Sequence, residues 1–568
     1  MRAKASVSGG GGCFDTSRSM MTGFGSGVSM RTFGVCKFFS ALIAFAAMPG
    51  IAQAALVISK APTSNVNCAA GVCTAVAADA VLNVKDLKTL LKANDLKVES
   101  GSAAQDIAFN ATLNWTKPHR LTLDAFRSIT FIQPVTAEGT GAVTLITNDG
   151  GTGGDYSFVD KGKLAFWDLS SSLIINGVGF TLVGDIATLA NDIAATPSGA
   201  YALARGYDAS ADGVHKGAPI RTSFIGTFEG LGHSISNMII RSRDGAGTSL
   251  GLFAVSAGTI RDINIEGANV TVLSSLYGWE VGALVGINDG NIVGSSANGG
   301  EVQEQSPESG NFGGLVGLNN GLVDRSGATI AVAGVISGGL VAANEGQIIN
   351  SSAAGSIAGA AFAGGLVGIN ERQITNCHAT GAVTSHRNVG DRGYNYIGGL
   401  VGWNHEGQIS QSFAAGDAFG IDHSILGGLT GWNSRGVISQ AYSLSSATSE
   451  KGEKIGGLLG LNDAGSRITE VYSIGWIMGG LHAVMGGLVG VDHAREGRIK
   501  NGYWDMETSG ITNPSQGAGD PPNDPGITGL TDAQLKSGLP AGFDPAIWGQ
   551  NAAINSGYPY LLANPPPQ

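Results

Sequence analysis

Gly313-Gly314-Leu315-Val316-Gly317-Leu318-Asn319 returns along the chain at Gly364 to Asn370 and at Gly398 to Asn404. Looser copies begin at Gly282, Gly338, Gly427, Gly456 and Gly486. The central leucines are Leu284, Leu315, Leu340, Leu366, Leu400, Leu429, Leu458 and Leu488, and their gaps run from 25 to 34 residues. A near-constant period of this size marks a repeat architecture, in which each unit buries its apolar face on its neighbours.

Outward from each leucine the unit continues in the same way. A turn at Asn is followed by a short strand that begins with Ile or Val, as at Ile292, Val323, Ile348, Ile374 and Ile409. Short strands, parallel stacking and Gly-rich corners predict an all-β chain, a right-handed parallel β-helix with coils of about 25–34 residues and a C-terminal cap. The handedness follows the usual chirality of parallel connections. A β-propeller and a β-sandwich are the competing architectures, but a blade of about 40–45 residues fits the period poorly.

The turn positions read Asn288, Asn319, Asn344, Asn370, Asn404, Asn433 and Asn462, then Asp492. Asn tolerates left-handed backbone and bonds nearby backbone groups. Stacked Asn side chains also bond to one another along a rod. Only the last unit offers a carboxylate there, so the row reads as structure rather than as a calcium site. Phe413, Tyr442, Tyr472 and Tyr503 fall at one repeat position, and Trp403 and Trp432 at another. Coils stacked about 4.8 Å apart would turn both sets into ladders.

Five regions result: an N-terminal extension with a secretory signal peptide (1–54), a β-rich capping region (55–165), transition coils (166–250), the repeats (251–500) and a C-terminal cap (501–568). Leu87, Leu90 and Leu91 predict a helix near the start of the second region. In the first, Met30-Arg31 and Lys37 precede an apolar run from Phe38 to Met48, and Ala52-Gln53-Ala54 follows. That layout predicts export and cleavage after Ala54, hence an extracellular or cell-surface location. Cys68 and Cys73, five apart, predict a local disulfide in an oxidising compartment.

Charged residues make up 14% of the chain and its net charge is -11. No stripe of Lys and Arg is visible of the kind that tracks phosphates, which argues against nucleic acid and anionic membranes as partners. No apolar run of 18 or more residues follows the signal, so no integral membrane segment is expected.

Catalytic patterns are weak. Gly247-Thr248-Ser249-Leu250-Gly251 matches a nucleophile elbow but leads into a repeat strand rather than a helix. His405-Glu406 opens a zinc-protease pattern that lacks its second His. Glycosidases need clustered carboxylates, and no adjacent Asp-Asp pair occurs. No catalytic, metal or cofactor residue is assigned.

The repeats resemble the GLUG motif of bacterial secreted and surface proteins. The wider pattern, including Leu113-Asn114-Trp115, Phe224 to His233 and Tyr503-Trp504-Asp505, is similar to filamentous haemagglutinin-like adhesins. The resemblance implies an extracellular β-helix linked to adhesion. The function expected is therefore non-enzymatic adhesion or contact with a host or matrix glycan or protein, with a secretion or anchoring partner. The alternatives are a polysaccharide lyase or glycosidase, and a structural spacer from a larger adhesin. The longest polar inter-repeat loop supplies the binding candidates, Arg392, Tyr394 and Tyr396, because function concentrates on loops carried by rigid scaffolds.

Overall fold

A computed structural model describes residues 54–243, 249–273, 278–305, 310–385, 394–421, 423–451, 453–494 and 497–567. The chain is a β-solenoid of about 15 turns with coils roughly 29 residues apart, about 51% strand and 7% helix. Among the described residues no helix is long and apolar enough to cross a membrane.

Each Gly-Gly-Leu-Val-Gly-x-Asn segment supplies one strand to a ten-stranded parallel sheet running from Phe253–Ser256 to Ala518–Asp520. Equivalent positions pair directly, as Val316 with Val341 and Asn319 with Asn344. All eight repeat leucines are fully buried, together with Ile292, Val323, Ile348, Ile374 and Ile409 from the next strand of each coil. Burying one such side chain contributes about 1.5–3 kcal/mol, so two per coil make the core additive along the rod.

The asparagine row forms a continuous amide ladder inside the rod. Asn288 Nδ2 donates to Asn319 Oδ1 at 2.7 Å, Asn319 to Asn344 at 2.7 Å and Asn344 to Asn370 at 2.8 Å. The chain of bonds passes through Asn404, Asn433 and Asn462 to Asp492 Oδ1. These asparagines do not take the left-handed backbone that the sequence reading offered as one reason for them. Glu406 and Arg435, two residues after Asn404 and Asn433, are left-handed (φ 55° and 56°), and the left-handed position that recurs through the coils holds Asp262, Arg325, Asn350, Asn376, Gln411, Gln440, Glu470 and Asn501, with φ between 46° and 59°. Each residue at that recurring position lies two residues after a buried Ile or Val, at a different corner. Asn is needed in the ladder for its side chain, which both donates and accepts.

Burial of Asp492 pushes its carboxyl up to about 6. A folded-state pKa above the unfolded value means stability is full below about pH 4 and is lost as pH rises towards 6. Asp492→Asn is therefore expected to raise stability by roughly 1–2 kcal/mol at pH 7.5 and to change little at pH 4. Thermal melts at the two pH values check this, and an equal shift at both would contradict it.

Parallel stacking already begins at Ala55. Strand Ala55–Ser59 pairs in parallel with Asp106–Phe109, which pairs with Ile129–Phe131. The region read as a cap is thus a stack of coils with its own core, which includes Leu56, Ile58, Phe109, Phe131 and Trp115. The helix Val84–Ala93 is capped by Asn83, which accepts from Lys85 N, and buries Leu87 and Leu91. At Asn176-Gly177 (φ 47° and 83°) the chain makes a tight hairpin, and Leu173–Ile175 runs antiparallel to Val178–Val183. Strand direction then reverses for the remaining coils. Leu182 and Ala202 face the first core, while Val183 and Leu203 face the second. One sheet therefore separates two cores.

The segment after Leu530 runs back along the side of the rod instead of covering only its end. Phe543 meets Tyr503, Trp548 meets Tyr472 and Tyr442, and Asn564 Nδ2 donates to Cys377 O at 3.0 Å. This strap buries an outward ladder of His378, Phe413, Tyr442 and Tyr472, whose rings lie 4.8–5.0 Å apart within 8° of parallel. Tyr503 shares the register, but Phe543 packs against both it and Tyr472.

Candidate functional site

A second set of rings is not covered by the strap. The residue before Asn in each repeat points outward and is Ile369, Trp403, Trp432 and Leu461 in successive coils. The strand before each Gly-Gly corner adds a neighbouring outward row of Phe362, Tyr396, Ile425 and Lys454. Gly402 brings the rows together, because a Cβ there would lie 2.7 Å from Ala363 N. With only hydrogen at that position the two strands touch, and Trp403 stacks on Phe362 at 5.1 Å and on Trp432 at 4.8 Å. Tyr396 stacks on Phe362 at 5.3 Å and on Trp432 at 4.9 Å.

These four rings are only partly buried. Their faces cover one another and their edges form a strip along the rod, continued by a small cluster of Ile425, Leu461 and Val491. Polar groups border it. Trp432 Nε1 donates to Asp463 Oδ2 at 2.9 Å, whereas the indole N–H of Trp403 has no partner. His405 lies against Trp403 at 4.5 Å. Lys454 Nζ sits 5.6 Å from the centre of the Tyr394 ring. A hydrogen bond to the Glu453 carboxylate, with burial, raises the Tyr394 hydroxyl above its ordinary pKa and keeps it a donor.

Of the loop candidates, Tyr394 is exposed and packs edge-on against Tyr396 at 6.2 Å. Tyr396 is part of the strip, and Arg392 lies outside the described residues. The eight ladder positions from Asn288 to Asp492 face inward and take no part in this surface. Cys68 and Cys73 are directly opposite across a two-residue hairpin turn and are disulfide-bonded.

A buried charge cluster sits where the two cores meet. Arg261 contacts Asp262 at 3.0 Å, Asp155 at 3.1 Å and Glu229 at 3.5 Å, and lies 4.0 Å over the Tyr156 ring. Tyr156 donates to Glu229, and Arg325 contacts Asp155 at 2.9 Å. Burial raises the Glu229 carboxyl well above its usual range and pushes Asp262 up to about 6. Such shifts often mark catalysis, but here each carboxylate is held by an arginine or a tyrosine. The cluster is a bolt between the two stacks. His233, pushed down to about 4 by burial, is a neutral residue bonded to Leu164 O at 3.0 Å. Among the described residues, no group of three or more His, Cys, Asp or Glu is arranged to hold a metal ion.

Residues 360–384 match the GLUG motif. This segment contains Phe362, the corner Gly364-Gly365-Leu366 and ladder residue Asn370. No curated protein matches the chain. Among solved structures, an IgA1 protease is 17% identical with a TM-score of 0.32, covering 50% of this chain and 21% of its own. A Bacteroides ovatus protein named as a proposed immunoglobulin A1 protease is 17% identical with a TM-score of 0.29, covering 68% and 93%. The chain thus spans about a fifth of the first of these structures. Neither likeness extends to an activity.

Proposed function

We propose that this GLUG-motif β-helix is a secreted or cell-surface protein that supports adhesion or matrix contact without turnover. The strip built on Tyr396, Trp403 and Trp432 is its contact face. The observation that carries this reading is the partly exposed ring stack, held rigid by the coils beneath it. Aromatic side chains give large contact area at little conformational cost and are enriched in the buried centres of interfaces. Preorganised rings lose little entropy on binding.

Export is part of the proposal. It is supported by the basic and apolar leader, and by a first strand that starts at Ala55, directly after the expected cleavage point. The Cys68–Cys73 disulfide suits an oxidising compartment.

The test is an array of glycans and matrix proteins probed with the purified chain, with reducing ends assayed in parallel. Retention without loss of printed sugar is the expected result. Progressive release of reducing ends would replace this reading with a polysaccharide-active enzyme, and silence across the array would leave a structural spacer.

A further inference from the structure

One cleft of about 380 Å³ is lined by Arg467, Thr469, Gly497, Arg498 and Lys500. Three of its five residues are cations, in a chain whose net charge is -11. Among the described residues none of the three makes a salt bridge or a side-chain hydrogen bond. The nearby carboxylate of Glu470 turns towards the strap, where it accepts from Asp544 N at 3.4 Å.

The coil register explains how these cations meet. Strand Arg467–Ser473 pairs in parallel with Ile499–Asp505, Ile468 opposite Ile499 and Thr469 opposite Lys500. Ile468 N donates to Arg498 O at 3.0 Å, which places Arg467 and Arg498 at equivalent positions of neighbouring coils, about one strand spacing apart. Like charges stacked in this way repel, and directly opposed like charges destabilise a sheet. The preceding coils carry neutral residues at both positions: Gln408 and Val437 in one row, Ser410 and Ser439 in the other. The outward hydroxyls of Thr375 and Ser410 lie 2.9 Å apart, and Ser439 and Thr469 continue that row towards the cleft. A local rule broken without internal compensation marks a functional position.

We propose that this cleft binds the oxyanion of an acidic polysaccharide, a carboxylate or a sulfate, while the hydroxyl row bonds the sugars that follow. Two guanidinium groups one coil apart and one ammonium supply charge-assisted bonds to such an oxyanion. The backbone of Gly497 (φ 80°) leaves open space where a side chain would stand. The inference rests on the adhesive reading and names the chemistry of its ligand. The cleft is nevertheless separate from the aromatic strip, so the two can fail independently.

The experiment measures retention of the full chain on immobilised heparin, polygalacturonate and neutral dextran over a sodium chloride gradient. Three proteins are compared: wild type, R467Q/R498Q/K500Q, and a control that removes three remote charges, K92Q/K161Q/K216Q. The expected result is retention on one or both acidic polymers but not on dextran. The cleft variant should lose at least about 10-fold in affinity, with a flatter salt dependence, and the control should lose little. Binding to heparin alone would assign a sulfate, and binding to both an oxyanion of either kind. The cleft variant should melt no lower than wild type, because it removes repulsion.

Equal losses in the cleft and control variants would reduce the effect to bulk charge and overturn the proposal. Equal retention on dextran, or none on either acid, would also overturn it. In that last case a positive array result that depends on Trp403 would show that the adhesive reading survives without the cleft.

Discussion

Gly398→Ala should cost at least about 4 kcal/mol and divide the unfolding of the rod into two steps. A Cβ at Gly398 would lie 2.0 Å from Val401 O and 2.8 Å from both Gly431 N and Leu429 O, all of them backbone atoms. No side chain can move aside to relieve the clash. The corner must open, and opening it shifts Leu400 out of register with Leu366 and Leu429. In a solenoid, stability is close to a sum of coil terms and neighbour-interface terms. A defect in the middle therefore cuts the cooperative unit rather than weakening it evenly. Hydrogen exchange should show lost protection around residues 395–435, while the first stack, 55–175, keeps its protection. An unchanged melting temperature with uniform protection would show that the corner tolerates a methyl group.

The second large effect is expected at Arg261. Arg261→Met keeps much of the side-chain volume but leaves Glu229 wholly buried, and Asp262 nearly so, without their shared cation. Breaking a buried ion pair from one side costs about 3–5 kcal/mol. The loss should depend on pH. Both carboxyls already have folded-state pKa values above their ordinary range, and removing the cation raises them further. The stability that protonation preserves is complete below the unfolded values near pH 4 and is lost as pH rises through the folded ones. The variant should therefore approach wild type at pH 4 and fall furthest behind at pH 8. Arg325→Met is the contrast. Arg325 is 40% exposed, and its loss should cost about 1 kcal/mol or less. Denaturant melts of both variants at the two pH values check the pair. A deficit for Arg261→Met that does not vary with pH would mean that packing over Tyr156, not charge, is what matters there.

The repeats were legible in the sequence where one residue type recurs at one position. The buried leucines, the amide ladder and the Phe413–Tyr442–Tyr472 stack all have that property, since a stacked coil places like on like. The first stack has only one such row, Phe109, Phe131 and Phe158, whose rings stack in register. Its other paired positions, such as Leu56 with Ile107, hold apolar residues that fit any buried strand. The left-handed corner is not legible in the sequence, because Arg325, Gln411, Gln440 and Glu470 are not the residues that usually advertise positive φ. The Asn176-Gly177 hairpin was readable as a turn. Its consequence, a sheet with a core on each side, depends on which faces Leu182 and Val183 take up later.

Tyr394 and Tyr396 could be picked out as residues of a polar loop. Their partners could not, because Phe362 meets Trp403 across the longest gap between repeats. Of the basic cleft, the run Arg498-Ile499-Lys500 is visible in the sequence, and Arg467 joins it only through the register that stacks the two coils. The run Tyr558-Pro559-Tyr560-Leu561-Leu562 marks the strap as apolar cover. Sequence does not say which surface it covers.

The most direct test of the contact face compares wild type with W403A/W432A on the same glycan and matrix array. Both rings are partly exposed, so the double variant should stay folded, which circular dichroism verifies. The account predicts that wild type is retained on defined spots without consuming them, and that the double variant loses at least about 10-fold in affinity, or about 1.4 kcal/mol. Equal retention of the two folded proteins would contradict it and move the contact face elsewhere on the rod.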